Sequence, residues 1–117
     1  ISEKSPRQLK IVIGIQSYIK DRLNEIESVP TTYILNQNFP NPFNPLTTIR
    51  YGLPEDAHVT LKIYNTLGQE IVTLVDELQG KGFKSVAWNG KDYPSGVYYY
   101  ELTANNFTQT RKLILLK

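Results

Sequence analysis

Cysteine is missing from this chain altogether, which excludes disulfides and thiolate metal sites, although it leaves the compartment undecided because many exported bacterial proteins lack cysteine too. Long apolar runs are missing as well. None approaches the ~18 residues that a membrane-spanning helix needs. Charge of one sign is not concentrated anywhere: 13 Lys and Arg are interleaved with 11 Asp and Glu for a formal charge of +2. With no basic stripe, a nucleic acid or an anionic membrane is not an expected partner. Histidine occurs once, so any Ser-His-Asp arrangement would have to use His58, which stands at a polar strand start with no nucleophile motif beside it. It reads as a surface residue. There is no phosphate-binding Gly loop and no metal-ligand cluster. Asp76 with Glu77, and Asn89 with Asp92, fall short of the roughly six to eight oxygens that calcium takes, and read as solvated turns. No catalytic, cofactor or metal residue is expected, and the chain is not expected to be an enzyme. The first residues also lack the charged, apolar and small-residue order of a secretory signal peptide, so the sequence is either a non-secreted protein or, the favoured reading, a fragment of a longer one.

What is present points to β structure. A length of 117 residues suits one domain and a short appendage, and eight Tyr together with Val, Ile and Thr favour strands. Residues 1–30 read differently from the rest. Leu9 to Ile13 forms a short β-like run stopped by Gly14, and Ile15, Ile19, Leu23 and Ile26 then recur at helical spacing. One strand and one helix cannot build a core, so this stretch is expected to be the tail of an upstream domain plus a linker. Val29-Pro30 marks the boundary, because the residue before proline is pushed out of helical geometry.

The second domain, 31–117, opens with Tyr33-Ile34-Leu35 and runs into Asn38-Phe39-Pro40-Asn41-Pro42-Phe43-Asn44-Pro45, where three prolines preclude a central strand. A rigid looped entry is expected there, with both Phe residues pinning it to a sandwich edge. Short segments of period-two alternation follow: Thr47 to Leu53, Val59 to Tyr64, Glu70 to Val75, Lys84 to Trp88, Val97 to Ala104 and Phe107 to Leu116. Asp76 to Gly82 reads as a polar loop, Asn65 to Gly68 as a hairpin loop with Gly at a left-handed position, and Asn105-Asn106 as a type I′ pair. A two-residue turn would set Tyr100 opposite Arg111 and Leu102 opposite Gln109, placing two polar groups on the inward face unless the strand bulges or the turn is longer. That register stays open. Trp88 shares the parity of Val86 and reads as core, as do Tyr98 and Tyr100, while Tyr99 and Tyr93 are the aromatics that could face outward.

The motifs, taken in order, resemble a known family: Asn38 to Pro45, Thr47-Thr48-Ile49-Arg50-Tyr51, Tyr64 to Glu70, Trp88-Asn89-Gly90-Lys91-Asp92, Pro94-Ser95-Gly96-Val97-Tyr98, and Arg111-Lys112-Leu113 to Lys117. From about Tyr33 to Lys117 the chain is similar to the type A C-terminal sorting domain of the bacterial type IX secretion system. The resemblance implies an all-β, immunoglobulin-like, seven-stranded sandwich at the end of a larger cargo protein of Bacteroidetes and related phyla. It also implies the type IX translocon and a sortase-like peptidase as partners, and a secreted or cell-surface destination reached through the periplasm and outer membrane. Lys112, Leu113, Ile114, Leu115, Leu116 and Lys117 match the part of the family pattern most tied to export. A similar Asn-Pro-Phe entry and Trp-Asn-Gly turn occur in the immunoglobulin-like domain of flagellar hook-capping proteins, and the terminal position separates the two.

Three functions therefore compete: a sorting module, a structural immunoglobulin-like spacer, and a carbohydrate-binding accessory domain of a secreted enzyme. In the last strand, apolar residues fall on both faces. Either one face stays exposed as a docking site or both are covered.

Overall fold

The computed structural model describes residues 29–117, so the expected strand at Leu9 to Ile13 and the helix carrying Ile15, Ile19, Leu23 and Ile26 lie outside the described residues. Within Thr31–Lys117, a compact unit, seven strands follow one another: β1 (Ile34–Leu35), β2 (Leu46–Leu53), β3 (Ala57–Tyr64), β4 (Glu70–Gln79), β5 (Gly82–Asn89), β6 (Gly96–Ala104) and β7 (Phe107–Leu115). All their pairings are antiparallel. They form a three-stranded sheet in the order β1-β2-β5 and a four-stranded sheet in the order β4-β3-β6-β7. This is an all-β, immunoglobulin-like sandwich.

Alternation supplies the core. Ile49, Tyr51 and Leu53 point inward from β2, Val59, Leu61 and Ile63 from β3, and Tyr98, Tyr100 and Leu102 from β6, all of them buried. Each fully buried aliphatic side chain contributes about 1.5 to 3 kcal/mol over an exposed one. Gly68 closes the β3–β4 hairpin with φ 81°, as the turn requires.

Three expectations about connections are corrected. Asp76 to Gly82 is mostly strand: β4 continues to Gln79 and only Gly80-Lys81 links it to β5 in the other sheet. Polar residues suit β4 because it is an edge strand with a solvated face, and Asp76 there accepts from His58 across to β3 at 2.7 Å. The Lys81 amide donates to the Asp56 carboxylate at 2.9 Å, which fixes the short link. The β6–β7 turn is not type I′, since Asn105 alone takes a positive φ, 53°, and that turn needs both central residues there. Last, β7 ends at Leu115, leaving Leu116 beyond the ladder.

The open register closes on the two-residue solution, with Tyr100 opposite Arg111 and Leu102 opposite Gln109 and no bulge. The polar groups are tolerated because β7 is an edge strand whose inward face reaches the rim of the sandwich. Arg111 is half-buried there, and its Nε donates to the Leu35 carbonyl of β1 at 2.6 Å, bridging the rims of the two sheets.

Candidate recognition surface at the chain terminus

The six terminal residues divide by parity. Leu113 pairs with Tyr98 and Leu115 with Gly96, and both leucines are fully buried. Lys112 and Ile114 take the opposite face, the first exposed and the second half-buried. Leu116 is 54% exposed, and Lys117 is exposed beside it. Within residues 29–117, Leu113 and Leu115 thus lie on the covered face and Ile114 on the opposite one.

The free edge of β7 is covered by the looped entry. The Gln37 amide donates to the Lys112 carbonyl at 2.7 Å, the Ile114 amide to the Asn41 side-chain oxygen at 3.0 Å, and the Phe43 amide to the Ile114 carbonyl at 2.9 Å. The Leu116 amide then donates to the Phe43 carbonyl at 3.0 Å, within a parallel bridge between Phe43 and Leu115. Ser95 Oγ accepts from the Lys117 amide at 2.9 Å, and Lys117 Nζ donates to the Lys91 carbonyl. An edge strand left bare would be a template for another chain. Here the outward backbone groups from the Lys112 carbonyl to the Leu116 amide are already partnered, so what the chain end offers is side chains.

The covering loop is itself anchored twice. At its start the Tyr100 hydroxyl donates to the Asn36 carbonyl at 2.6 Å and accepts from the Asn38 amide at 2.8 Å. Burial pushes that phenol up to about 12. Asn38, itself buried, donates to the Thr47 hydroxyl at 2.9 Å and to the Pro40 carbonyl at 3.1 Å, so the buried amide is satisfied inside the loop. At its far end Phe43 is buried against Trp88, ring centroids 5.6 Å apart, and Trp88 meets Tyr93 at 5.5 Å and Tyr98 at 5.7 Å. Gly90 packs so closely that a Cβ would lie 3.1 Å from Leu115 Cδ2 and 3.4 Å from Phe43 Cε2. The Trp-Asn-Gly turn therefore has a packing reason for its glycine.

Several expected residues are placed differently. Phe43 pins the loop but Phe39 does not, being 77% exposed. Its backbone forms an antiparallel bridge with Thr48, whose side chain points out of the sandwich, and directly opposed residues share a face. Tyr93 packs on Trp88 instead of facing solvent, because the Asn89 to Pro94 turn folds back over the indole. Tyr99 does look outward, opposite Tyr64. His58 and Asp76 hold each other on the surface, and Asn89 caps its own turn by accepting from the Lys91 amide at 2.9 Å. Among the described residues no group of three His, Cys, Asp or Glu could hold a metal ion, and no helix is long and apolar enough to cross a membrane. Sequence reasoning missed Gln37, Asn41 and Ser95. Only the prolines beside Asn41 and Ser95 hint at fixed turns, and nothing local shows that these side chains reach the chain end.

Residues 37–116 match the family model described as "Secretion system C-terminal sorting domain". The chain belongs to this family. It is a sorting domain for type IX secretion, a module whose role is to direct a cargo protein to export. No curated protein matches the sequence. Among solved structures the sorting domain is similar to part of PorZ from Porphyromonas gingivalis, described as an essential bacterial surface component of the type-IX secretion system. The two are 20% identical with a TM-score of 0.51, the match covering 80% of this chain and 12% of PorZ. At that identity the likeness is one of fold. The chain spans about an eighth of the length of that protein.

Proposed function

We propose that the sorting domain is read by the type IX translocon through the side chains of Lys112 to Lys117, in the folded state. One observation carries this reading: the backbone of the chain end is sealed by the Asn41 to Phe43 loop while Lys112, Leu116 and Lys117 remain exposed. Leu113 and Leu115 serve the core and set the register, and Ile114 contributes its half-buried outer face. A partner approaching this rim meets two cations flanking an apolar side chain on a rigid support. Residues 31–117 are the sorting unit, and residues 1–30 the tail of an upstream cargo and its linker. The domain has no catalytic role of its own, and after export a sortase-like peptidase separates it from a cargo destined for the medium or the cell surface.

The test is a periplasmic reporter fused ahead of the full chain in a host with a type IX system. Combined Lys112→Glu, Lys117→Glu and Leu116→Ser should leave stability within about 0.5 kcal/mol, as usual for surface positions. Reporter in the medium should nevertheless fall at least several-fold, with folded protein retained in the periplasm. Parental export by these variants would remove the terminal side chains from the recognition surface.

A further inference from the structure

On the outer face of the three-stranded sheet, joined to the chain end through the Gln37 bond to Lys112, a recess of about 190 Å³ is lined by Asn36, Gln37, Phe39, Thr48 and Arg50. Arg50 and Thr48 share the outward parity of β2, so both side chains project on this face. The walls are fixed. The Phe39 amide and carbonyl both bond Thr48 at 2.9 Å, the Asn36 amide donates to the Arg50 carbonyl at 2.9 Å, and the Tyr100 hydroxyl clamps the backbone of Asn36 and Asn38 from inside the sandwich. Gln37 has its amide nitrogen committed to Asn38 and to the Lys112 carbonyl. Among the described residues the carboxylates in contact with a basic side chain are Asp76 with His58 and Glu70 with Lys62, and none is paired with Arg50. None of the five lining residues is acidic.

We propose that this recess binds the carboxylate of an acidic side chain on a peptide, with Arg50 as the cation, Thr48 and Asn36 as flanking donors and Phe39 as the wall for the aliphatic stem. A guanidinium presents parallel N–H donors matched to the two oxygens of a carboxylate. A hydroxyl and a neutral amide can add donors without adding charge. One cation neutralises one carboxylate, whereas a phosphate dianion would leave a charge uncompensated. The size agrees, since the space takes a side chain and not a folded element. Phe39 would keep its place against the penalty of exposure because its ring completes the wall. Preorganisation matters here, because a frame held by backbone bonds loses little freedom when the ligand arrives. This site does not depend on the export reading above.

The experiment is an NMR titration of the isotope-labelled full chain with N-acetylglutamic acid α-amide. Signals of the Arg50 side chain, the Asn36 side-chain amide and the Thr48 backbone should move together and saturate in the millimolar range. The neutral glutamine counterpart should cause no saturable shift, and phosphate at equal ionic strength should bind at least severalfold more weakly. Arg50→Gln should weaken binding at least tenfold, Arg50→Lys less so, and Thr48→Val a few-fold, each variant keeping the dispersion of the parent spectrum. Should Arg50→Gln disturb the fold, Thr48→Val decides. Shifts that rise linearly without saturating, that persist in Arg50→Gln, or that are matched by glutamine amide or phosphate would overturn the proposal.

Discussion

The four-stranded sheet has two edges, and they are protected by different means. At β4 the edge is broken up along its own length: the pairing with β3 slips between Leu61 and Lys62 and again between Ile63 and Tyr64, and Asp76 and Glu77 put charge on the strand. Bulges and charges make a poor template for a second chain. At β7 the ladder is regular for nine residues, and the edge from Lys112 onward is closed instead by Gln37, Asn41 and Phe43 from a loop far away in sequence. A regular, covered strand keeps its side chains in strict alternation and in fixed places. The difference teaches that a regular edge strand takes a covering segment and keeps its side chains in fixed places, while a bulged and charged edge resists association through its own sequence.

The comparison breaks most readily at the aromatic anchor. Trp88→Ala should lower stability by about 3 to 5 kcal/mol, the usual cost of deleting a large buried aromatic. Removing the indole also frees Phe43, so hydrogen exchange at the Ile114 and Leu116 amides should rise before that of the β3–β4 amides. An unchanged melting temperature would mean that the loop is held by something other than the Phe43–Trp88 contact.

The next test is the other end of the loop. Tyr100→Phe leaves the Asn38 amide without its acceptor and should cost about 1 to 3 kcal/mol. It should also alter the alkaline limb. The folded phenol is raised to about 12 from an ordinary 10, so above pH 10 the unfolded chain loses this proton while the native one keeps it. The native state then binds more protons, and stability falls as pH rises from 10 through 12. Because other tyrosines are raised too, including Tyr51 and Tyr98, the loss should shrink in Tyr100→Phe and not vanish. Denaturant titrations at pH 9, 10 and 11 measure it.

A smaller pair of effects sharpens the contrast directly. Asn41→Ala should cost about 0.5 to 1.5 kcal/mol for one hydrogen bond and speed exchange of the Ile114 amide. Asp76→Asn on the other edge should stay within about 0.5 kcal/mol, since an exposed polar contact contributes little. Equal costs at the two positions would show that the covering loop does no more for β7 than surface charge does for β4.

Much of this was legible in the sequence. Period-two alternation located β2, β3, β6 and β7, and the parity of Trp88 with Val86 put the indole inside. The ordered motifs from Asn38 to Lys117 pointed to a sorting domain. Alternation failed where burial was incomplete. On the edge strand β4, Asp76 and Glu77 look like loop residues because their environment, not their propensity, allows them into a strand. Phe39 and Phe43 look alike in the Asn-Pro-Phe segment and end on opposite sides of the sandwich surface.

The sequence by itself determined which residues face the core along β2, β3 and β6, because side-chain direction follows from strand period alone, and it determined that the Asn38 to Pro45 stretch is not a strand, because proline withholds a donor and fixes φ. Only the tertiary structure decided which edge that stretch would cover. Bonds such as Asn41 to Ile114, 73 residues apart, Gln37 to Lys112 and Arg111 to Leu35 join groups whose partnership no local pattern encodes. They form because two packed sheets bring the rims of β1 and β7 together and leave buried or half-buried polar groups that must each find a partner.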